Sequence, residues 1–255
     1  MIDTHSHVLF GVDDGAQTVE ESIGMLKVAQ ADGLTKVITT SHSVPGIKYE
    51  NDAKHLNDIY RQVRSEMKKQ GIKVELILGS EIMLTPLSLE WLRDHKAQTL
   101  NNTSWVLVEI PWNKNLLFDI DEDAALAKVK EMGYRVLIAH PERYPSVQND
   151  YHKLANWKAL GYDFQVNRSS LLDTKNEIIH QLAWRMLDEG YCDVIGTDAH
   201  RNTGLRVNKL KDIYDLLEEK YGTSEAQRLI DENPQRLIDG LELIQHSGHQ
   251  KKTTQ

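Results

Sequence analysis

The chain has 255 residues, 40% hydrophobic and 27% charged, which suits one large α/β domain or two small ones with a substantial buried core. A net charge of -8 is the wrong sign for a phosphate-backbone binder that lacks a local basic patch, so nucleic acid is not expected as a partner. The lone cysteine, Cys192, excludes an internal disulfide, and no apolar run reaches the roughly 18 residues that span a bilayer, so a cytoplasmic protein without membrane insertion or an export signal is expected.

In chain order, short hydrophobic runs alternate with helical patterns, and nearly every run stops at a side chain able to hold a metal. Residues 1–3 lead into His5 and His7, followed by Asp13 and Asp14 between Gly11 and Gly15. Thr18 and Glu21 form a capping-box signature for a helix with Ile23, Leu26 and Ala29 on one face, and Gly33 supplies its left-handed stop. Residues 36–40 run into His42 just before Pro45; residues 52–69 then repeat the helical pattern ahead of Gly71. Residues 74–78 end near Glu81, and residues 105–108 end at Glu109. A helix over 121–132 precedes Gly133, and residues 135–139 end at His140. A helix over 150–160 precedes Gly161, residues 162–166 form the sixth strand, and a helix over 175–188 precedes Gly190. Residues 193–196 then run into Asp198 and His200. Helices over 207–220 and 223–231 follow, a last one starts at Asn233-Pro234, and the polar residues 246–255 read as a mobile tail behind a single domain over 1–245.

Seven strands alternating with helices, several short enough and apolar enough to be buried on both faces, predict parallel strands. In a barrel of parallel strands all carboxyl ends emerge on one face, so ligands scattered from residue 5 to residue 200 would converge there. An open doubly wound sheet is the competing arrangement, but it gathers its ligand groups at a switch point and would not recruit them from six strands. Individually these residues have ordinary alternatives: His-x-His can be packing, Asp13 and Asp14 can be a turn, and Glu81 or Glu109 can pair with a lysine. A carboxylate ending an apolar strand is costly unless paired or metal-bound, and the ordinary reading would have to hold at six strands together.

The set MIDTHSH, GVDDGA, TTSH, GSEI, VEIP, IAHPERY, QVN and GTDAH resembles the polymerase-and-histidinol-phosphatase (PHP) superfamily, from residue 1 to about residue 243. Within it, the likeness is to the bacterial manganese-dependent protein-tyrosine phosphatases encoded with capsule and exopolysaccharide genes. The resemblance implies a distorted (β/α)7 TIM-like barrel, the PHP fold, with three divalent metals at the carboxyl-terminal mouth of the strands; manganese leads, and iron or zinc suits the same nitrogen and oxygen donors. It implies that His5, His7 and Asp198 hold one metal, that Glu81 bridges to a second completed by Glu109 and His140, and that Asp14, His42 and His200 hold a third. Arg143 and Arg206 match the two phosphate-binding arginines. The implied substrate is the phosphotyrosine tail of a cognate bacterial tyrosine kinase; oligomeric state is left open. Ser43 stands where many members have histidine, Asn167-Arg168-Ser169-Ser170 replaces a commoner Asn-Ala-Gly-Ser, and Arg206 follows Thr203-Gly204-Leu205 in place of the usual context. A histidinol-phosphatase-like or other phosphoesterase of the same superfamily is the rival enzyme, with a nuclease behind it, and a metal-stabilised module that binds the kinase tail without hydrolysis is the rival from another class.

Overall fold

Side chains that alternate between two apolar layers along short strands organise this chain. In the computed structural model, which describes residues 1–111 and 120–246, the strand segments are β1 (Ile2–Ser6), β2 (Lys36–Thr39), β3 (His42–Ser43), β4 (Glu75–Ile77), β5 (Glu81–Met83), β6 (Trp105–Glu109), β7 (Arg135–Ala139), β8 (Asp163–Asn167) and β9 (Val194–Gly196). Those described form two sheets, ordered β1-β2-β4 and β3-β5-β6-β7-β8-β9, with every pairing parallel. The strands expected over 36–40 and 74–78 are β2 and β4, and each is followed by a further short strand, β3 or β5, that belongs to the other sheet. His42 and Glu81 open these added strands and face each other in register across β3 and β5. Beyond β9, Ser6 bridges Ala199, while the Asp198 N–H donates to the His5 carbonyl and the His7 N–H to the Ala199 carbonyl, both at 2.8 Å.

Alternation decides which layer each residue joins. On β6 and β7, Val106, Val108, Val136 and Ile138 pack outward against the helices, whereas Trp105, Leu107, Leu137 and Ala139 join Ile2, Ile38, Ile77 and Val194 in a second cluster between the strands. Leu237, Ile238 and Leu243 from the end of the described chain join this inner cluster. Glu109, two residues after Leu107, continues the inner face of β6, so the layer above the apolar plug is where polar side chains meet.

The helices are α1 (Val19–Ala31), α2 (Ala53–Lys69), α3 (Pro86–Arg93), α4 (Glu122–Glu131), α5 (Pro145–Asn149), α6 (His152–Ala159), α7 (Arg168–Leu172), α8 (Glu177–Asp188), α9 (Lys211–Tyr221), α10 (Thr223–Gln227) and α11 (Asn233–Ile238). Thr18 caps α1 by accepting from the Glu21 N–H, but the Glu21 carboxylate reaches back to the Gln17 N–H, one residue beyond the capping box read from sequence. Asp52, Asp121 and Asn176 cap α2, α4 and α8 in the same way. The helix expected over 150–160 is α6, preceded by the short additional helix α5, and α9 starts four residues later than expected. A π-helical turn, Arg228–Glu232, joins α10 to α11. Helix α3 is an addition to the sequence reading; its signal is Thr85-Pro86 with Ser88, a reciprocal cap. The tail expected to be mobile lies outside the described residues apart from His246. No described helix is long and apolar enough to cross a membrane.

Candidate metal centre

Six loops and strand ends deliver the nine expected ligand side chains to one cluster above the inner apolar layer. Their donor atoms fall into four overlapping groups, each with all atoms within 4.8 Å of one another: His7, Asp14, His42 and His200; His5, His7 and Asp198; His5, Glu81 and His140; and His42, Glu81 and Glu109. Glu81 is the hub. Its Oε1 lies 2.8 Å from His140 Nε2, and its Oε2 lies 3.3 Å from His5 Nε2, 3.4 Å from His7 Nε2 and 3.0 Å from His42 Nδ1. Asp198 Oδ1 reaches His5 at 3.5 Å, His7 at 3.4 Å and His200 at 3.5 Å. Asp14, about half exposed, stands 3.3 Å from His200 and 3.7 Å from His42 at the solvent side.

Local sequence explains how such donors are crowded together. His5 and His7 alternate along an extended segment and aim both Nε2 atoms inward, 3.2 Å apart. Gly15 and Gly196 permit the approach: a Cβ on Gly15 would fall 2.5 Å from His7 Cβ, and one on Gly196 would fall 2.6 Å from His5 Cβ. Asp198 and His200 do not alternate as an extended pair, because Asp198 turns into the left-handed region at φ 51°.

Around the donors lies an outer layer to which sequence assigned no role. Asp13 Oδ2 accepts from His7 Nδ1 at 2.8 Å, and Gln165 Oε1 accepts from His5 Nδ1 at 2.7 Å, which assigns a proton to each outward Nδ1 and, in the neutral ring, a lone pair to each Nε2. Gln165 in turn donates to Asn167 Oδ1, and Asn167 donates to Asp198 Oδ2. Asp3, fully buried, accepts from the Thr197 hydroxyl and backbone and from Asn208, tying β1 to the segment after β9. A signal for part of this was present: Asp163, Gln165 and Asn167 alternate along β8 with Phe164 and Val166, a polar inner face on a buried strand.

Among the described residues, Glu81 Oε2, Glu109 Oε2, His42 Nδ1 and His140 Nδ1 are buried with no hydrogen-bond partner, although His42 Nδ1 and Glu81 Oε2 are only 3.0 Å apart. Buried polar atoms left in that state cost free energy, and cations would satisfy the carboxylate oxygens and the open His42 nitrogen. The charge states agree. Burial, then the neighbouring Glu81 carboxylate, pushes Glu109 up to about 7. Burial takes His140 down to about 4, and burial with His7 does the same to His200. Burial opposes charge on His42 as well, yet Glu81 holds it protonated up to about 9, so a proton there stands in for a cation. The donors present, imidazoles and carboxylates, fit divalent metals.

Both expected arginines reach the cluster. Arg143 Nη1 donates to Asp198 Oδ2 at 3.1 Å; Arg206 Nη2 donates to Asp198 Oδ1 at 2.6 Å and its Nε to the Asp198 carbonyl at 3.0 Å. Each remains about one-third exposed at the rim. Arg201, to which the sequence reading gave no role, donates to the carbonyls of Asp14, Gly15 and His200 and clamps the two loops together. Cys192 is buried two residues before β9, and burial pushes its thiol well up, so it has none of the properties of a reactive thiolate.

Comparison with known proteins agrees with this architecture. Residues 1–239 match the capsular polysaccharide synthesis family CpsB/CapC, and the chain belongs to that family. It is 29% identical over 243 residues to the tyrosine-protein phosphatase CpsB of Streptococcus agalactiae serotype III (strain NEM316), covering 93% of this chain and 98% of the relative. It is 26% identical over 244 residues to the tyrosine-protein phosphatase YwqE of Bacillus subtilis (strain 168), covering 93% and 91%. Its fold superposes with a TM-score of 0.86 on a structure from a study of YwqE from Bacillus subtilis and CpsB from Streptococcus pneumoniae, metal-dependent tyrosine phosphatases, at 24% identity over 96% of this chain and 97% of that one.

Proposed function

We propose that the protein is a metal-dependent protein-tyrosine phosphatase that hydrolyses phosphotyrosine on the tail of a bacterial tyrosine kinase controlling capsule or exopolysaccharide synthesis, in the cytoplasm. The observation that carries this reading is the convergence of nine imidazole and carboxylate donors, some with buried unsatisfied atoms, beside two guanidinium groups at the rim. The family and the names of the relatives supply the substrate class.

The strands would form a distorted (β/α)7 barrel in a single domain, a reading supported by β3 and β5, which follow β2 and β4 in the other sheet, and by the hydrogen bonds from the β9 end to β1. Three divalent ions, manganese foremost, would be held by His5, His7 and Asp198, by Glu81, Glu109 and His140, and by Asp14, His42 and His200. Against four carboxylates and five neutral imidazoles they leave two positive charges, which suits a phosphate ester dianion. When bound, such ions lower the pKa of water towards about 7 and neutralise phosphoryl oxygens. Arg143 and Arg206 would turn from Asp198 to the phosphoryl group and stabilise the charge that builds during displacement. Asp13 and Gln165 would keep His7 and His5 in the donor tautomer throughout.

The test is turnover of manganese-loaded protein on a phosphotyrosine peptide, on histidinol phosphate and on a single-stranded oligonucleotide. Preference for the peptide, lost with chelator and regained with Mn²⁺, is the expected result. Preference for histidinol phosphate would move the chain to the rival phosphatase class, and absence of turnover on all three would favour a binding module.

A further inference from the structure

A cavity of about 190 Å³ opens directly beside the metal cluster, and Arg143 and Arg206, the two residues that grip Asp198, form one of its walls. The other walls come from Ser169, Ser170, Asp173, Asn176, Ile179 and Leu205. We propose that this cavity receives the aromatic ring of an aryl phosphate ester, with Leu205 and Ile179 as the side chains that select it. The proposal rests on phosphomonoester hydrolysis at the adjoining cluster and names the residues that set its specificity.

Chemistry changes across the cavity in the way an aryl ester requires. Among the lining side chains only Arg143 and Arg206 are cationic, and both touch Asp198 of the cluster, beside which a phosphoryl group would sit. Two of the polar groups of the lining are engaged with their own backbone: Asp173 Oδ1 accepts from the Lys175 N–H at 3.0 Å, and Asn176 Oδ1 accepts from the Ile179 N–H at the start of α8. Ile179 and Leu205 are the two apolar side chains of the lining and so the ones that a ring would pack against. A second phosphate, as in a nucleotide, would meet Asp173 without a compensating cation.

Leu205 is a large apolar side chain left 41% exposed, in a loop that is nonetheless pinned. Arg168, nearly buried, pairs with Asp212 and donates to the Leu205 carbonyl at 2.8 Å. The Arg206 carbonyl accepts from the N–H groups of His200 at 3.1 Å and Arg201 at 3.3 Å. One exposed leucine is ordinary on a protein surface. A leucine fixed at the edge of a charged cluster, lining one cavity together with an isoleucine of α8, offers the kind of apolar surface that small-molecule sites use to hold flat groups.

The experiment compares kcat/KM of wild type, Leu205→Ser and Ile179→Ser on a phosphotyrosine peptide and on the same peptide carrying phosphoserine. The ratio of aryl to alkyl turnover should fall about tenfold in each variant, mostly through KM, as expected for loss of apolar contact to a ring. A ratio that stays within twofold of wild type, or equal losses on both esters, would overturn the proposal. Calorimetric titration of manganese-loaded protein with benzylphosphonate and methylphosphonate reads the same slot without turnover. Wild type should prefer the benzyl compound and Leu205→Ser should lose that preference; equal affinities in wild type would overturn the proposal. If wild type hydrolysed no monoester but still preferred the benzyl compound, the hydrolase reading would fall and the slot would stand.

Discussion

Replacing Asp13 by asparagine tests whether a buried carboxylate that belongs to none of the four donor groups nevertheless controls metal binding. Asp13 accepts three hydrogen bonds: His7 Nδ1 and the His42 N–H on Oδ2, and the Gly15 N–H on Oδ1, each at 2.8 Å. Asparagine has the same shape, but one oxygen becomes an NH2 group. If the amide nitrogen takes the Oδ2 position it faces two donors, and if it takes the Oδ1 position it faces one, so the second orientation wins and the Gly15 N–H is left unsatisfied. An unsatisfied buried donor costs ~1–3 kcal/mol. The bond to His7 then runs to a neutral amide oxygen, which weakens the hold on the tautomer and the basicity of Nε2, and losses of this kind cost about 10- to 100-fold in metal affinity.

The assay is a manganese titration followed by phosphotyrosine turnover at limiting and at saturating Mn²⁺, with thermal unfolding of the metal-free protein alongside. Asp13→Asn should unfold earlier than wild type, need about 10- to 100-fold more Mn²⁺ for half-maximal turnover, and recover most activity at saturation. Wild-type manganese affinity together with wild-type stability would refute the assignment of Asp13 as the group that orients His7.

Glu81→Ala removes the carboxylate that lies within 3.4 Å of four imidazoles, and elemental analysis should show loss of more than one metal with loss of activity; wild-type metal content would exclude its hub role. Protein purified in manganese should approach three metals per chain, and full activity with one metal or fewer would remove the trinuclear proposal. Arg143→Ala should lower turnover on the order of a hundredfold, from loss of ~2–4 kcal/mol of charge-assisted stabilisation, while metal content holds. Unchanged kinetics would make Arg143 a rim residue only. Cys192→Ser should keep most phosphotyrosine turnover and chelator should abolish it, since the thiol is buried and only its weak contact to the Val194 carbonyl is at stake. A folded, metal-loaded serine variant without activity would require a thiolate mechanism instead.

The candidate donors that converge were legible in sequence and the groups that surround them were not, for a physical reason. A histidine or carboxylate at the end of an apolar run is visible because it breaks a pattern, and His5, His7, His42, Glu81, Glu109, His140 and Asp198 each do so. Asp13 and Asp14 are adjacent in one turn, and the sequence offers no ground for sending Asp14 outward to His200 and Asp13 inward to His7; the difference is made by Gly15, which lets the turn press against His7. Strand boundaries failed for a related reason. Residues 36–40 read as a strand leading straight into His42, but the chain changes neighbours near Thr40, whose N–H turns to the Ser6 carbonyl while Glu81 donates back to Thr40 and Ser41. Hydrophobic period reports which face a residue occupies and is silent about which strand lies alongside.

Backbone conformation at two of the candidate ligands goes further against the local sequence. His140 precedes Pro141, which biases a residue towards extended geometry, yet it sits at φ 34° and ψ 55°. Asp198 sits at φ 51°. For residues other than glycine, each left-handed turn costs ~1–2 kcal/mol, so something must hold them. His140 donates to the Gln165 carbonyl at 2.7 Å and accepts from the Arg143 N–H at 3.0 Å; Asp198 donates to the His5 carbonyl at 2.8 Å and accepts from Arg206 Nε at 3.0 Å. The neighbouring strand and the following arginine thus hold each turn from both sides. With these turns His140 reaches Glu81, Asp198 and His200 meet the same cluster, and Arg143 and Arg206 stand at its rim. A left-handed turn at these two positions thus lets a strand end present a candidate metal donor and, within eight residues, an arginine of the proposed phosphate site on the same side.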